Sequence, residues 1–392
     1  TIDVASGKTI TFDNGTISTE NHQLTVEGAG TVAFPSGTTW TAQNDPPASG
    51  TGQSQLNAVT YGSGTFVLVG RGGTIATSPD GETWTAQTSG TNTNLYGVNY
   101  VNSTFVALGR SGTILTSSDG TAWTDRTTNV TSKHLKEATY GNGTFVIVGE
   151  SGTILTSSDG TTWDNRTSGT SNGFSGVAYG NSTFVAVGSG GTILTSTDGT
   201  TWTPRTSGTN GTFSEVIYGN SIFMAVSGGT VFTSPDGTTW TDHYSSFFSL
   251  FLLGITYANG TYVTVGPETI FTSSDGTTWT EQISGTTSNL RGVTYGNGTF
   301  VTVGFGNTIL SSPSASGIVV NNAAGLLKID GTGTLQAAGV TAASNTGKGV
   351  QVVQSSTISS LTVSADTELN IASGNTLSGS TEVAANKTLT LS

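Results

Sequence analysis

Each of the seven tryptophans in this chain closes the same phrase. Trp40, Trp84, Trp123, Trp163, Trp202, Trp240 and Trp279 end a turn of the type Ser-x-Asp-Gly-x-Thr-Trp or a close relative. From Trp84 onward they recur about every 40 residues, the period of a four-stranded propeller blade. A side chain this large, used at one phase of a repeat, is a packing residue placed once per unit. One unit runs from Leu135 to Trp163. Strand A carries Leu135, Ala138 and Tyr140, and Asn142-Gly143 supplies the two positive-φ positions of a type I′ hairpin turn. Thr144 to Val148 is a β-branched and aromatic run, as in a strand buried on both faces. Strand C covers Thr153 to Thr156, and Asp159-Gly160 turns into strand D at Thr162-Trp163. Four short antiparallel strands joined by tight turns make a blade. No stretch has helical periodicity.

Units open at Leu56, Leu95, Leu135, Phe174, Phe213, Leu252 or Leu253, and Leu290. The last has strands A to C, but no Trp follows Ser312-Pro313. The missing strand D stands alone at Ser36 to Thr41, around Trp40. If Trp40's strand completes the blade opened at Leu290, seven blades close into a ring without a free sheet edge.

Two resemblances follow from these residues. Ser78-Pro-Asp-Gly-Glu-Thr-Trp84, Ser118-Asp-Gly-Thr-Ala-Trp123 and their copies resemble the Asp-box (BNR) repeat of sialidases and many non-enzymatic propellers. The phrase Val-Gly-x-x-Gly-Thr-Ile-Leu-Thr-Ser-x-Asp-Gly-x-x-Trp is similar to the seven-bladed photosystem II assembly-factor-like propellers, over about residues 36–313. These boxes have one residue fewer between Asp and Trp than the usual pattern. The resemblance implies a structural turn on the outer side of each blade. It therefore gives no catalytic role to Asp80, Asp119, Asp159, Asp198, Asp236 or Asp275, which hold the turn through side-chain to backbone hydrogen bonds.

The flanks are a different material: almost no aromatics, and apolar residues alternating with Thr and Ser, the period-two strand pattern. Val4-Ala-Ser-Gly-Lys-Thr-Ile-Thr-Phe12 echoes Ile371-Ala-Ser-Gly-Asn-Thr-Leu377 and Val383-Ala-Ala-Asn-Lys-Thr-Leu-Thr-Leu391. The expected fold is all-β: a seven-bladed propeller with strand closure, plus a β-sandwich or β-solenoid domain built from both termini. The expected division is scaffold over 1–34, propeller over 35–314 and scaffold over 315–392. The flanking segments resemble those of phage fibres, head appendages and bacterial surface adhesins.

With no cysteine, neither disulfides nor thiol chemistry is available. The first residue, Thr1, suggests a processed or trimmed chain, and no signal peptide or bilayer-spanning apolar run is present. A net charge of −12 with twelve Lys and Arg argues against nucleic-acid binding. His22, His134 and His243 are isolated, so no metal site or other cofactor is expected. Of the six arginines, Arg126, Arg166 and Arg205 share one phase of strand D, where other blades place Gln43, Gln87, His243 and Gln282. They read as repeat positions, and a sialidase-type hydrolase, which needs three converging arginines, ranks third among the readings. No enzyme is expected.

Function should lie where the repeat is broken. The loops between strands B and C carry Arg71, Arg110, Glu150, Ser189, Ser227, Glu268 and Phe305. The start of strand A adds Tyr96, Lys136, Glu137, Glu215 and Arg291. Together they suggest a shallow face of mixed charge for glycan or protein. A second anomaly runs from Tyr244 to Leu253, with Phe247, Phe248 and Phe251, where other blades have Ser-Gly-Thr linkers. Exposed, it is an interface patch; otherwise it folds over the channel mouth or against the scaffold. The leading expectation is a structural or adhesive surface protein of a virion or cell appendage. Its partners would be other copies, virion or appendage proteins, or cell-surface glycan, in an extracellular or virion-surface setting without membrane insertion. The alternative is a propeller assembly factor or chaperone that binds a protein partner.

Overall fold

The computed structural model describes residues 40–43, 55–127, 130–244 and 251–312, together with short backbone strands on either side. The chain divides into two compact units, Thr39–Ser311 and the paired flanks Thr1–Thr38 with Ser312–Ser392.

The first unit is a seven-bladed propeller, each blade a four-stranded antiparallel sheet in chain order. Strand A of the blades covers Leu56–Gly62, Leu95–Val101, Leu135–Gly141, Phe174–Gly180, Phe213–Gly219, Gly254–Ala258 and Leu290–Gly296. Blade 3 continues with Thr144–Gly149, Ile154–Ser157 and Asp164–Arg166. Strand C thus starts one residue later than expected. Strand D starts after the tryptophan rather than before it, because the N–H groups of Thr161 and Thr162 are spent on the Asp159 carboxylate. Asn142 and Gly143 take φ of 46° and 76°, as the hairpin requires.

Closure is by strand exchange across the ends of the unit. Thr41–Ala42 pairs antiparallel with Ile309–Ser311, with Ala42 opposite Leu310 and Thr41 opposite Ser311. Trp40 is 5 % exposed and packs with Leu290, Val293 and Leu310 of blade 7 and Val263, Val265 and Ile270 of blade 6.

The core lies between neighbouring sheets. Val106 and Leu108 of blade 2 meet Leu135, Phe145, Ile147 and Trp163 of blade 3. Each such fully buried side chain contributes roughly 1.5–3 kcal/mol. Strand A of each blade packs against strand A of the next, so these strands form the inner ring. There the approach is close enough to demand glycine: a Cβ on Gly141 would stand 2.2 Å from the Tyr179 ring of the next blade. The same contact closes the circle, Gly296 of blade 7 lying under Tyr61 of blade 1.

In the flanks the described strands pair in parallel, and N-terminal strands pair with C-terminal ones. Gln23–Glu27 aligns with Leu326–Ile329, and Thr31–Ala33 with Thr334–Gln336. Phe247 and Phe248 lie outside the described residues, as does the side chain of Tyr244.

Candidate functional site

The Ser-x-Asp-Gly turns are closed hydrogen-bond units. In blade 1, Ser78 Oγ donates to Asp80 Oδ1 (2.9 Å) and accepts the Gly81 N–H (2.8 Å). Asp80 Oδ1 also accepts the N–H groups of Glu82 and Thr83. The Trp84 ring nitrogen donates back to Gly81 O. The Ser and Asp bonds recur in later blades, and the ring bond recurs at Trp123, Trp202 and Trp240. Asp119, Asp159 and Asp275 are held well below the usual carboxylate range, chiefly by the backbone N–H of Ala122, Thr162 and Thr278 respectively. Asp80 shifts the same way, although burial pulls it up, because the Thr83 and Glu82 bonds outweigh that effect. These carboxylates serve the fold.

The strand D positions are equally occupied. Arg126, Arg166 and Arg205 donate from Nε to Thr116, Thr156 and Thr195 of the adjacent strand C. Gln87 and Gln282 bond Thr77 and Thr272, His243 meets Thr233, and Gln43 reaches Ser311 across the closure.

What remains is the face carrying the B–C loops. Arg291, Arg71 and Arg110 stand on the consecutive blades 7, 1 and 2. The Arg291 guanidinium lies 4.6 Å over the Phe305 ring. Burial and the neighbouring Arg71 charge both lower its pKa. Its Nε is buried with no hydrogen-bond acceptor, and among the described residues no carboxylate pairs with it. A guanidinium held against an aromatic ring and beside a second cation has the chemistry to take an anion, and a carboxylate suits its fork.

On blades 2 and 3 the charges satisfy one another. Lys136 Nζ is 3.3 Å from Glu150 and 4.1 Å over the Tyr96 ring. Blades 4 to 6 present Ser189, Ser227 and the exposed Glu268. Phe251, just before strand A of blade 6, is 71 % exposed, while Leu252 is buried.

Glu137 and Glu215, expected on the open face, turn instead along the channel wall. Glu137 accepts the Val177 N–H of blade 4 (2.9 Å) and a bond from Asn99 of blade 2; Glu215 accepts the Ile255 N–H of blade 6 (3.1 Å). Gly176 lies between them: a Cβ there would be 3.0 Å from Glu137 Oε2 and 3.2 Å from the Glu215 Cα. Burial among protein atoms pushes Glu137 up to about 8, against the Val177 and Asn99 bonds. Burial, then the Glu137 charge, raises Glu215. Both act as staples between blades.

The sequence reading passed over another group of staples. The residue before strand A places a side chain against the B–C loop of the preceding blade. Asn94 Oδ1 accepts the Gly72 N–H (3.0 Å), and His134 Nδ1 accepts the Ser111 N–H (3.2 Å). The loop residue held in each case has positive φ, 63° at Gly72 and 57° at Ser111, and no sequence signal marks the pairing. A cleft of about 450 Å³ between blades 3 and 4 is lined by Thr170, Thr192, Trp202, Pro204 and Arg205. Among the described residues no group of three or more His, Cys, Asp or Glu is placed to hold a metal.

The sequence matches no family model and no curated protein. Solved structures share the fold. YCF48 bound to D1 peptide is 18 % identical with a TM-score of 0.58, the match covering 70 % of this chain and 94 % of that one. YCF48 from Cyanidioschyzon merolae is 17 % identical, with 70 % and 98 % coverage and a TM-score of 0.55. A catalytically inactive virginiamycin B lyase from Staphylococcus aureus with quinupristin is 12 % identical, with 69 % and 98 % coverage and a TM-score of 0.62. At these identities the likeness is one of fold.

Proposed function

We propose that this chain is a non-catalytic propeller that binds a segment of a protein partner on its B–C face, in the manner of an assembly factor. The observation that carries this reading is Arg291: a guanidinium on Phe305, beside Arg71, with a buried Nε that nothing in the described chain accepts. A buried unpaired donor costs about 1–3 kcal/mol, more for a charged group, and an incoming carboxylate relieves it. The solved YCF48 with a peptide is a propeller of this kind occupied by a protein segment, which supports the class of partner. The Ser-x-Asp-Gly turns, read as Asp-box-type turns, then belong to the scaffold. Glu137 and Glu215 are committed to neighbouring backbones and supply no acid–base pair for hydrolysis.

A second reading rests on the flanks. Parallel pairing between N- and C-terminal strands suits rungs of a β-solenoid that displays the propeller, as in a surface protein of a virion or cell appendage. The likenesses in fold favour the partner-binding reading over it.

The test is titration of a fluorescent peptide rich in Asp and Glu with a free C-terminal carboxylate. Binding should weaken at least about tenfold in Arg291→Ala, as for a lost charge-assisted hydrogen bond pair, and should weaken as salt rises. Absence of binding, or equal affinity in Arg291→Ala, overturns the reading.

A further inference from the structure

One of the two inter-blade latches described above is titratable and its twin is not. Gly72 and Ser111 are equivalent loop residues, and each points its N–H at the side chain that precedes strand A of the next blade. In the first latch the acceptor is an amide oxygen, Asn94 Oδ1. In the second it is an imidazole nitrogen, His134 Nδ1, which accepts only while the ring is neutral and its other nitrogen carries the proton. A protonated ring would set one donor against another at this point.

The ring has aromatic and charged neighbours. The His134 ring lies 5.5 Å from the Tyr96 ring, on which Lys136 also sits. Tyr96 belongs to strand A of blade 2 and Lys136 to strand A of blade 3; Lys133 precedes His134 in the chain, and Arg110 precedes Ser111 on the latched loop. Glu150, whose N–H donates to His134 O, is the one carboxylate among them, and it is engaged by Lys136. Ser111 would be the part released. The loop keeps its bonds from Arg110 N to Asn94 O and from Gly112 N to Lys133 O.

We propose that His134 is a proton-operated latch on the B–C loop that presents Arg110: neutral, it pins Ser111 to blade 3; protonated, it frees that peptide and adds a cation to the basic arc. The consequence for partner binding rests on the function proposed above, but the latch itself is read without any ligand. A mildly acidic setting would loosen and further charge the part of the face carrying Arg110, while the Gly72–Asn94 latch beside Arg71 stays closed.

The test is amide exchange of Ser111 and Gly72 on the whole chain between pH 8 and pH 5, each corrected for the intrinsic pH dependence of exchange. Ser111 protection should fall about 3- to 10-fold towards pH 5, the range for one lost hydrogen bond, while Gly72 protection stays level. His134→Asn, which copies the Asn94 latch, should keep Ser111 protected at both ends. His134→Ala should leave it poorly protected at both ends. The latch is overturned if Ser111 in His134→Asn loses protection as the wild type does, or if His134→Ala protects it fully at pH 8. Neither result touches the peptide titration, so the two ideas fail separately.

Discussion

The outer turns and the channel wall hold the same chemical group in opposite conditions. On the outside, Asp119, Asp159 and Asp275 each collect the backbone N–H groups of a tight turn and stay charged far into acid. Inside, Glu137 and Glu215 also accept backbone N–H groups, but one each, while protein surrounds them and they oppose one another across Gly176. Exposure keeps solvation available to the first set, and packing within the ring reduces it for the second. A carboxylate in this fold is therefore a turn-holder or a strained staple according to its radius from the axis. Position in the ring, more than residue type, decides what a side chain can do.

The severest way to break the outer framework is to remove its fastener. Deleting residues 1–43 strips Trp40 and the Thr41–Ala42 strand from blade 7 and exposes the edge of Ile309–Ser311. Cooperative thermal unfolding should be lost and aggregation should appear by light scattering. A truncated chain that melts like the parent would show that closure contributes little.

Next in size is a single outer turn. Ser78 is fully buried and its Oγ satisfies the buried Gly81 N–H. Ser78→Ala should cost about 1–3 kcal/mol in denaturant unfolding, the range for a buried donor left without a partner, whereas a change below about 0.5 kcal/mol would mean the turn is held by its aspartate alone.

The smallest effect separates the two carboxylate sets by the sign of their response to pH. Glu137 titrates near 8 in the folded chain against an ordinary 4.5, so its contribution to stability is fully present below about 4.5 and lost as pH rises towards 8. Asp119 is shifted below its ordinary 3.8, so its contribution is present above that value and lost as pH falls further. Melting temperature followed from pH 3 to pH 9 should therefore flatten on the alkaline side in Glu137→Gln and on the acid side in Asp119→Asn. The glutamine still accepts the Val177 N–H, so a gain of a few degrees at pH 9 is expected, about 2–4 °C per kcal/mol in a domain of this size. A parallel curve for Glu137→Gln would remove the charge argument for the channel.

Much of this is legible in the sequence. The tryptophan period gave the blade, Asn142-Gly143 gave the hairpin, and the stray strand at Trp40 gave the closure. These signals are local or strictly repeated, so one copy explains the rest. The inward turn of Glu137 was not legible, and the cause is a bulge. The pairing of Leu135–Gly141 with Thr144–Gly149 shifts register between Leu135 and Glu137, so simple alternation misassigns the faces at the start of the strand. The Asn94 and His134 latches were hidden for another reason. Their partners are 22 and 23 residues away, on another blade, and only the curvature of the ring brings them together. The Arg71–Arg291 pair was half visible: both were singled out by breaking the repeat, but they are 220 positions apart, and closure alone makes them neighbours.

The fastener also sets how the propeller answers a pull. The strand Thr41–Ala42 enters where Ile309–Ser311 leaves, with Thr41 opposite Ser311 and Gln43 N bonded to Ile309 O. Tension arriving at Trp40 and at Ser312 is therefore applied to the same end of one antiparallel pair. The bonds are loaded in sequence, like a zipper drawn from its open end, and never all together in shear. However well the seven sheets pack, the mechanical strength of the ring is that of its first rung.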